Sequence, residues 1–296
     1  MEYVQARRDA IETRLREVVS AVEPGELESE IEHVVLAGGK RVRPTLTLLA
    51  CEAAGGQVWA EGVETGNEDL GEHGEIALDF AVGVELVHTA SLVVDDIIDR
   101  SKLRRGEKSA WAEYGHGPAI VASDGLLGEA FDLFSPDPRA LESVSAALVE
   151  LGEGEAIELV DQPSSEEEYM ELARRKTGAL FRTAAELGAI AADADEATIE
   201  AFGEYAQRVG IAFQIRDDVL DAVADSTDLG KPTGHDDEMK RPSIVRVTGK
   251  SPSTLTSLAE TESRRAVSAL ERIDLNGNEA SQYLEDLAVF VVDRDR

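Results

Sequence analysis

The sequence predicts an all-α protein, a single-domain bundle of ten or more helices. Apolar residues recur at three- and four-residue spacing through most of the 296 residues, which is the period of a helix with one buried face. No stretch alternates apolar and polar residues as a half-buried strand would. Hydrophobic residues make up 43% of the chain but aromatics only 5%, so the core is assembled mostly from Ala, Val, Leu and Ile.

The helices follow in order. Residues 2–22 carry Val4, Ile11, Leu15, Val18 and Val22 on one stripe, and Pro24-Gly25 ends that run. A second helix, 26–36, enters Gly38-Gly39-Lys40-Arg41-Val42-Arg43-Pro44, and Pro44 opens a third that reaches 54. Paired glycines let backbone amides approach a ligand, and three cations within four residues suit an anion. Residues 55–75 are rich in Gly and Glu without a period, which reads as a loop. A long helix over 76–100 follows, then 111–134, ended by Pro136 and Pro138, and 139–160, where Gly152 and Gly154 suit close helix packing. Residues 162–166 read as a loop carrying a helix start, 166–192 and 197–224 as helices, and 225–242 as a polar loop. Two final helices divide near Asn276-Gly277.

Charge and cysteine content narrow the class. The net charge of −31 is spread along the whole chain, which repels nucleic acid and anionic membranes. Lysine occurs only at positions 40, 102, 108, 176, 231, 240 and 250. An acid-rich, lysine-poor surface suits a high-salt, halophilic cytoplasm that screens its self-repulsion. The single cysteine, Cys51, excludes an intrachain disulfide and fits a reducing compartment. The longest apolar stretch, 76–94, is interrupted by Asp79, Glu85 and His88, which argues against a membrane span. The N-terminus has no signal-peptide core. A cytoplasmic protein without stable membrane insertion is expected.

The chemistry centres on Asp95, Asp96 and Asp99 at the end of the long helix. Asp95 and Asp99 lie four residues apart and share a helix face. Hard oxygen ligands one turn apart, with water completing the shell, suit Mg2+ carrying a phosphorylated substrate. With 60 acidic residues, about two such windows are expected by chance in a chain of this composition. A second set, Asp217, Asp218 and Asp221, ends another apolar helix, and two sets are much harder to attribute to chance. If the two helices face each other across a bundle, six carboxylates meet at the mouth of an apolar cavity. Lys176 and Lys231 could then reach a diphosphate held there, and Lys40, Arg43 and Arg105 a second one.

GGKRVRP, ELVHTASLVVDDIIDRSKLRRG, KTGALF, FQIRDDVLD and GKPTGHD, in this order and spacing, resemble the trans (E)-type isoprenyl diphosphate synthases of the polyprenyl synthetase family. The likeness runs from about residue 30 to the C-terminal VVDRDR. It implies the isoprenoid synthase fold, an all-α bundle around a central cavity, and a homodimer. It implies that Asp95 and Asp99, supported by Asp96, bind two of three expected Mg2+ ions, and that Asp217, with Asp218 and Asp221 close by, binds the third. Arg104, Lys176 and Lys231 would contact the allylic diphosphate. Lys40, Arg43, His88 and Arg105 would hold isopentenyl diphosphate. Gln214 and Thr177 would lie beside the reacting carbons. The implied reaction is Mg2+-assisted ionisation of the allylic substrate and attack by the alkene of isopentenyl diphosphate.

Two departures stand out. Residues 237–243 read DEMKRPS where the family has a Gly-Lys-Xaa-Thr segment, which removes the usual basis for assigning lid closure to Lys240 and Arg241. Ser123-Asp124 replaces a common Gly-Asp. A terpene cyclase would need neither GGKRVRP nor Arg105, a non-catalytic subunit would lose one Asp set, and an acidic interaction protein would need none of these motifs. Small residues at Ala90 and Ser91, before Asp95, leave the tube open past Val87 and Leu86 to the level of Gly83 unless Phe131 or Phe134 floors it. A geranylgeranyl (C20) product is expected, with a longer chain as the alternative.

Overall fold

The computed structural model of the chain describes residues 2–60, 70–227, 242–273, 275 and 277–293. It is helical, as the periodicity predicts, and it divides into two compact units, 1–142 with 187–194 and 143–186 with 195–296. Two of the three dividing points fall inside helices, Pro138–Ala156 and Ala179–Ala191, and the third just before the helix that starts at Glu196.

In the first unit, α1 (Glu2–Ser20) buries Ile11, Leu15 and Val18, the stripe that the spacing predicts. Then come α2 (Gly25–Val35), α3 (Val42–Ala53) and α4 (Gly74–Ile98). The described ends of the 55–75 stretch are tied together. Gly71 N donates to Val58 O at 2.9 Å and His73 N to Gln57 O at 3.1 Å, while residues 61–69 lie outside the described residues. A short hairpin follows α4: β1 (Leu103–Arg104) pairs antiparallel with β2 (Glu107–Lys108). This corrects the expectation of no sheet. Arg105 and Gly106, both at positive φ, supply the left-handed pair that a tight hairpin needs. The helix expected over 111–134 breaks at Gly115 into α5 (Ala110–Tyr114) and α6 (His116–Phe134). α4 is long and apolar enough to cross a membrane, but 72% of its apolar window is buried. It is the core helix of this unit, packed on α3 and α6.

In the second unit, α7 (Pro138–Ala156) runs into a π turn, Ile157–Asp161. α8 (Glu166–Ala173) starts with Ser165 accepting from Glu168 N, the helix start that the sequence signals. The single helix expected over 166–192 is instead α8, a second π turn at Arg174–Gly178, and α9 (Ala179–Ala191). α10 (Glu196–Thr227) is the backbone of the unit, packed on α12 (Pro252–Leu270) and α13 (Glu279–Asp293), with the short α11 (Ile244–Thr248) between α10 and α12 in sequence. The Tyr205 hydroxyl on α10 donates to Leu284 O at 2.6 Å in the buried seam with α13.

Candidate active site

In the first unit the three aspartates sit at the C-terminal end of a 25-residue helix. That is the negative end of its macrodipole, so the position itself calls for cations. Asp96 is turned inward, only 3% exposed. Its Oδ1 takes Arg104 Nη2 at 2.6 Å and Nε at 3.0 Å, in a two-pronged ion pair. Asp95 and Asp99, one turn apart, remain half-buried on the accessible side. The hairpin explains this arrangement, because it folds the chain back so that Arg104 meets Asp96.

The neighbouring residue, Arg105, goes elsewhere. Its Nη1 donates to Gly38 O, and a Cβ at Gly39 would lie 2.8 Å from that nitrogen. A side chain at Gly39 would therefore displace the guanidinium. Arg43 Nη1 lies 3.1 Å from His88 Nε2. The guanidinium is the only possible donor there, so the imidazole proton resides on Nδ1. Burial, followed by the fields of Arg43, Arg105, Arg104 and Arg41, holds the His88 pKa well below its ordinary 6.5. Burial lowers Arg43 to about 10, with Glu85 opposing and Arg105 adding, and burial lowers Arg105 too. Two guanidiniums and a neutral imidazole gathered here offer a set of donors suited to an anion. Lys40 is exposed on the loop beside it.

Arg41 does not belong to this set, although the sequence groups it with Lys40 and Arg43. Its side chain is fully buried, bonded to Glu12 at 2.7 Å, Glu85 at 2.6 Å and Val35 O at 2.7 Å. Burial opposes its charge, but Glu12 and Glu85 outweigh burial and raise its pKa. Arg41 braces the loop from inside, its guanidinium donors taken by Glu12, Glu85 and Val35 O.

In the second unit a cavity of about 620 Å³ is lined by Lys176, Thr177, Gln214, Asp217, Asp218 and Asp221, with Glu158, Tyr169 and Arg246. Asp217 and Asp221 share one face of α10. Lys176 Nζ lies 2.6 Å from both Glu155 Oε2 and Glu158 Oε2. Lys176 and Glu158 each sit on a π turn, a helix defect found often at functional sites. Gly154 allows this approach, since a Cβ there would meet Lys176 N at 3.1 Å. Asp218 accepts from Gln214 Nε2 at 3.0 Å, from Tyr169 Oη at 2.6 Å and from Ile244 N at 2.8 Å. Thr177 Oγ1 donates to Gln214 Oε1 at 2.8 Å. Lys231, Lys240 and Arg241 lie outside the described residues.

Glu155, Glu158 and Tyr169 are not singled out by the sequence. Their only advance signal is that the rare Lys176 needs partners in a chain dominated by acids. Among the described residues no group of three or more His, Cys, Asp or Glu forms a metal cage. Each motif offers a pair of aspartates with no thiolate or imidazole, a donor set that fits a hard cation completing its shell with water and phosphate oxygens.

The Polyprenyl synthetase family profile matches residues 24–272. The chain belongs to the polyprenyl synthetase family. Among its relatives, a short chain isoprenyl diphosphate synthase of Methanothermobacter thermautotrophicus is 36% identical over 245 residues, covering 80% of this chain and 70% of the relative. A geranylfarnesyl diphosphate synthase of Natronomonas pharaonis is 33% identical over 98% of this chain and 96% of its own length. The structure of a polyprenyl synthase from Caulobacter crescentus, complexed with calcium and isoprenyl diphosphate, superposes with a TM-score of 0.81 at 27% identity, covering 100% of this chain and 98% of that one. The chain is thus an enzyme of the trans-isoprenyl diphosphate synthase type with the isoprenoid synthase fold, and its family is metal-dependent.

Proposed function

We propose that the chain condenses isopentenyl diphosphate with an allylic diphosphate to release a trans-prenyl diphosphate, with geranylgeranyl diphosphate as its main product. The observation that carries the reading is the cluster of Arg43, His88 and Arg105 beside Gly38-Gly39. It would be an anion site made by residues other than the aspartates, and an enzyme that uses two diphosphates needs one.

The residues divide the work. Asp95 and Asp99, and Asp217 with Asp221, hold Mg2+, three ions in all. When bound, the ions draw electron density from the leaving diphosphate and so favour scission of the allylic C–O bond. Lys176 presents its ammonium to the allylic diphosphate. Asp96 acts through Arg104, which it orients toward the allylic diphosphate. Lys40, Arg43, His88 and Arg105 fix the isopentenyl diphosphate so that its alkene lies near the allylic carbon, where proximity replaces a bimolecular encounter. Asp218 and Gln214 orient Thr177. The proton lost from the new chain goes to the departing diphosphate. The whole chain acts as one synthase domain, in the cytoplasm, as a homodimer and in high salt. Lys231 would join Lys176 on the allylic diphosphate.

The test is diphosphate release with each substrate alone and with both, in Mg2+. Release that requires both substrates supports the reading. Release from the allylic substrate alone would make the protein a cyclase, and no release would make it a non-catalytic chain. Asp95→Ala and Asp217→Ala should each lower turnover by several orders of magnitude with the helical fold intact.

A further inference from the structure

The Thr177 hydroxyl is the last link of a hydrogen-bond chain whose direction is fixed at its other end. Ile244 N, a backbone amide, can only donate, and it donates to Asp218 Oδ2 at 2.8 Å. The Tyr169 hydroxyl reaches the same oxygen at 2.6 Å. A carboxylate can only accept, so Gln214 must present its amino group to Asp218 Oδ1. The carbonyl oxygen of Gln214 then faces Thr177, and Thr177 must spend its proton on it, at 2.8 Å. Tyr169 is 2% exposed and Thr177 8%, so water does not compete freely for these bonds.

We propose that Tyr169 and Asp218 are positioning residues, which through Gln214 force Thr177 to aim its lone pairs, and not its proton, into the cavity that both line. The inference rests on the prenyl-transfer reading and deepens it. An oxygen so oriented faces the positive charge that develops on the allylic carbon as the C–O bond breaks, and it needs no reorganisation at that moment. Asp218 then works through its neighbours and not as a ligand of the metal.

The relay can be reversed and restored. In Asp218→Asn, the amide oxygen stays with Tyr169 and Ile244, and its amino group faces Gln214. Gln214 flips, donates to Thr177, and turns the hydroxyl proton into the cavity. We expect kcat to fall about 100-fold, as when one preorganised group of an electrostatic site is lost, with little change in KM for either diphosphate. Adding Gln214→Glu to Asp218→Asn exchanges carboxylate and amide, conserves net charge and returns Thr177 to donating. It should recover at least about tenfold of the loss, worth roughly 1.4 kcal/mol. Tyr169→Phe removes one donor and leaves the other two, so its kcat should fall about tenfold or less. A purely structural role, or a metal ligand at Asp218, predicts no rescue by the exchange.

Calorimetric binding of a diphosphate analogue with an ammonium in place of the allylic carbon, compared with a neutral isostere, reads the same polarity without turnover. The preference for the ammonium should weaken in Asp218→Asn and return in the double variant. Rescue in both measurements supports the relay. An unchanged kcat in Asp218→Asn, or a double variant no better than the single one, overturns it. If the wild type does not turn over, the prenyl-transfer reading fails while the binding comparison still decides the relay.

Discussion

Replacing Phe134 by alanine should lengthen the product, and the structure sets both the size of the effect and its cost. Counting down α4 from Asp95, Ser91, Val87 and Gly83 follow one another at four-residue intervals, so Gly83 lies about 18 Å below the carboxylates at 1.5 Å per residue. There the Phe134 ring presses on the helix, so closely that a Cβ at Gly83 would lie 2.5 Å from its Cζ. Phe134 is fully buried, and Phe80 packs on it at 6.0 Å between ring centroids. Phe131 is exposed and cannot serve. The level of Gly83, expected to be open, is the level that Phe134 fills. Removing the ring opens about one further helical turn, ~5.4 Å, enough to admit at least one more five-carbon unit. The loss of a buried aromatic costs about 3–5 kcal/mol, which in a chain of this size lowers the melting temperature by on the order of 10 °C. Chromatography of dephosphorylated products made from labelled isopentenyl diphosphate reads the chain length, and a thermal scan reads the cost. A folded Phe134→Ala enzyme with the wild-type product distribution would refute the assignment of Phe134 as the floor.

Four other outcomes follow, three from the geometry and one from the charge. Ser91→Phe should shorten the product to about C15, because Ser91 is half-buried on the side of Asp95. Ala90→Phe should chiefly destabilise the fold by about 1–3 kcal/mol, because Ala90 is 2% exposed and Ser123 Oγ donates to its carbonyl from α6; product chromatography and melting curves separate the two. His88 has a lowered folded-state pKa, so as pH falls the unfolded chain takes up its proton first. The stability present above pH 6.5 is lost progressively below it. His88→Gln keeps an acceptor for Arg43 and should flatten that acid loss in denaturant titrations, whereas an unchanged slope would mean that His88 is protonated in the fold. Finally, the net charge of −31 predicts a melting temperature that rises steeply from low to molar KCl, and a flat response would remove the link between this surface and salt.

Much of the fold was legible because helices are written locally. The apolar stripe of α1 and the serine that starts α8 depend on residues within a turn or two. The aspartate pairs were legible for the same reason, since a four-residue spacing places side chains together in any helix. What escaped depends on partners distant in sequence. Arg41 reads like its cationic neighbours, but Glu12 and Glu85, on two other helices, draw it inward. α4 is apolar almost all round, so its sequence does not tell whether Ala90 or Ser91 faces a neighbour; only the approach of Ser123 on α6 does. The hairpin at 103–108 has strands of two residues, too short to show alternation, and Arg104 is anchored on Asp96 across its base. The π turns escape because a phase shift of a single residue, where one helix runs into the next, reads as the start of a new stripe.

That single residue makes chain length at 174–178 a fixed quantity. A π turn holds one residue more than the α-helix would there, so a one-residue deletion would not cut a loop but heal the helix into regular form. Everything on one side of the repair would swing by about 100° relative to the other. Lys176 and Thr177 could keep their identities and still lose their directions. A lineage can therefore exchange amino acids in this turn one by one, but it cannot gain or lose a position without rebuilding what faces it. Alignment gaps among relatives should avoid this stretch, and libraries that vary segment length should find no survivors in it.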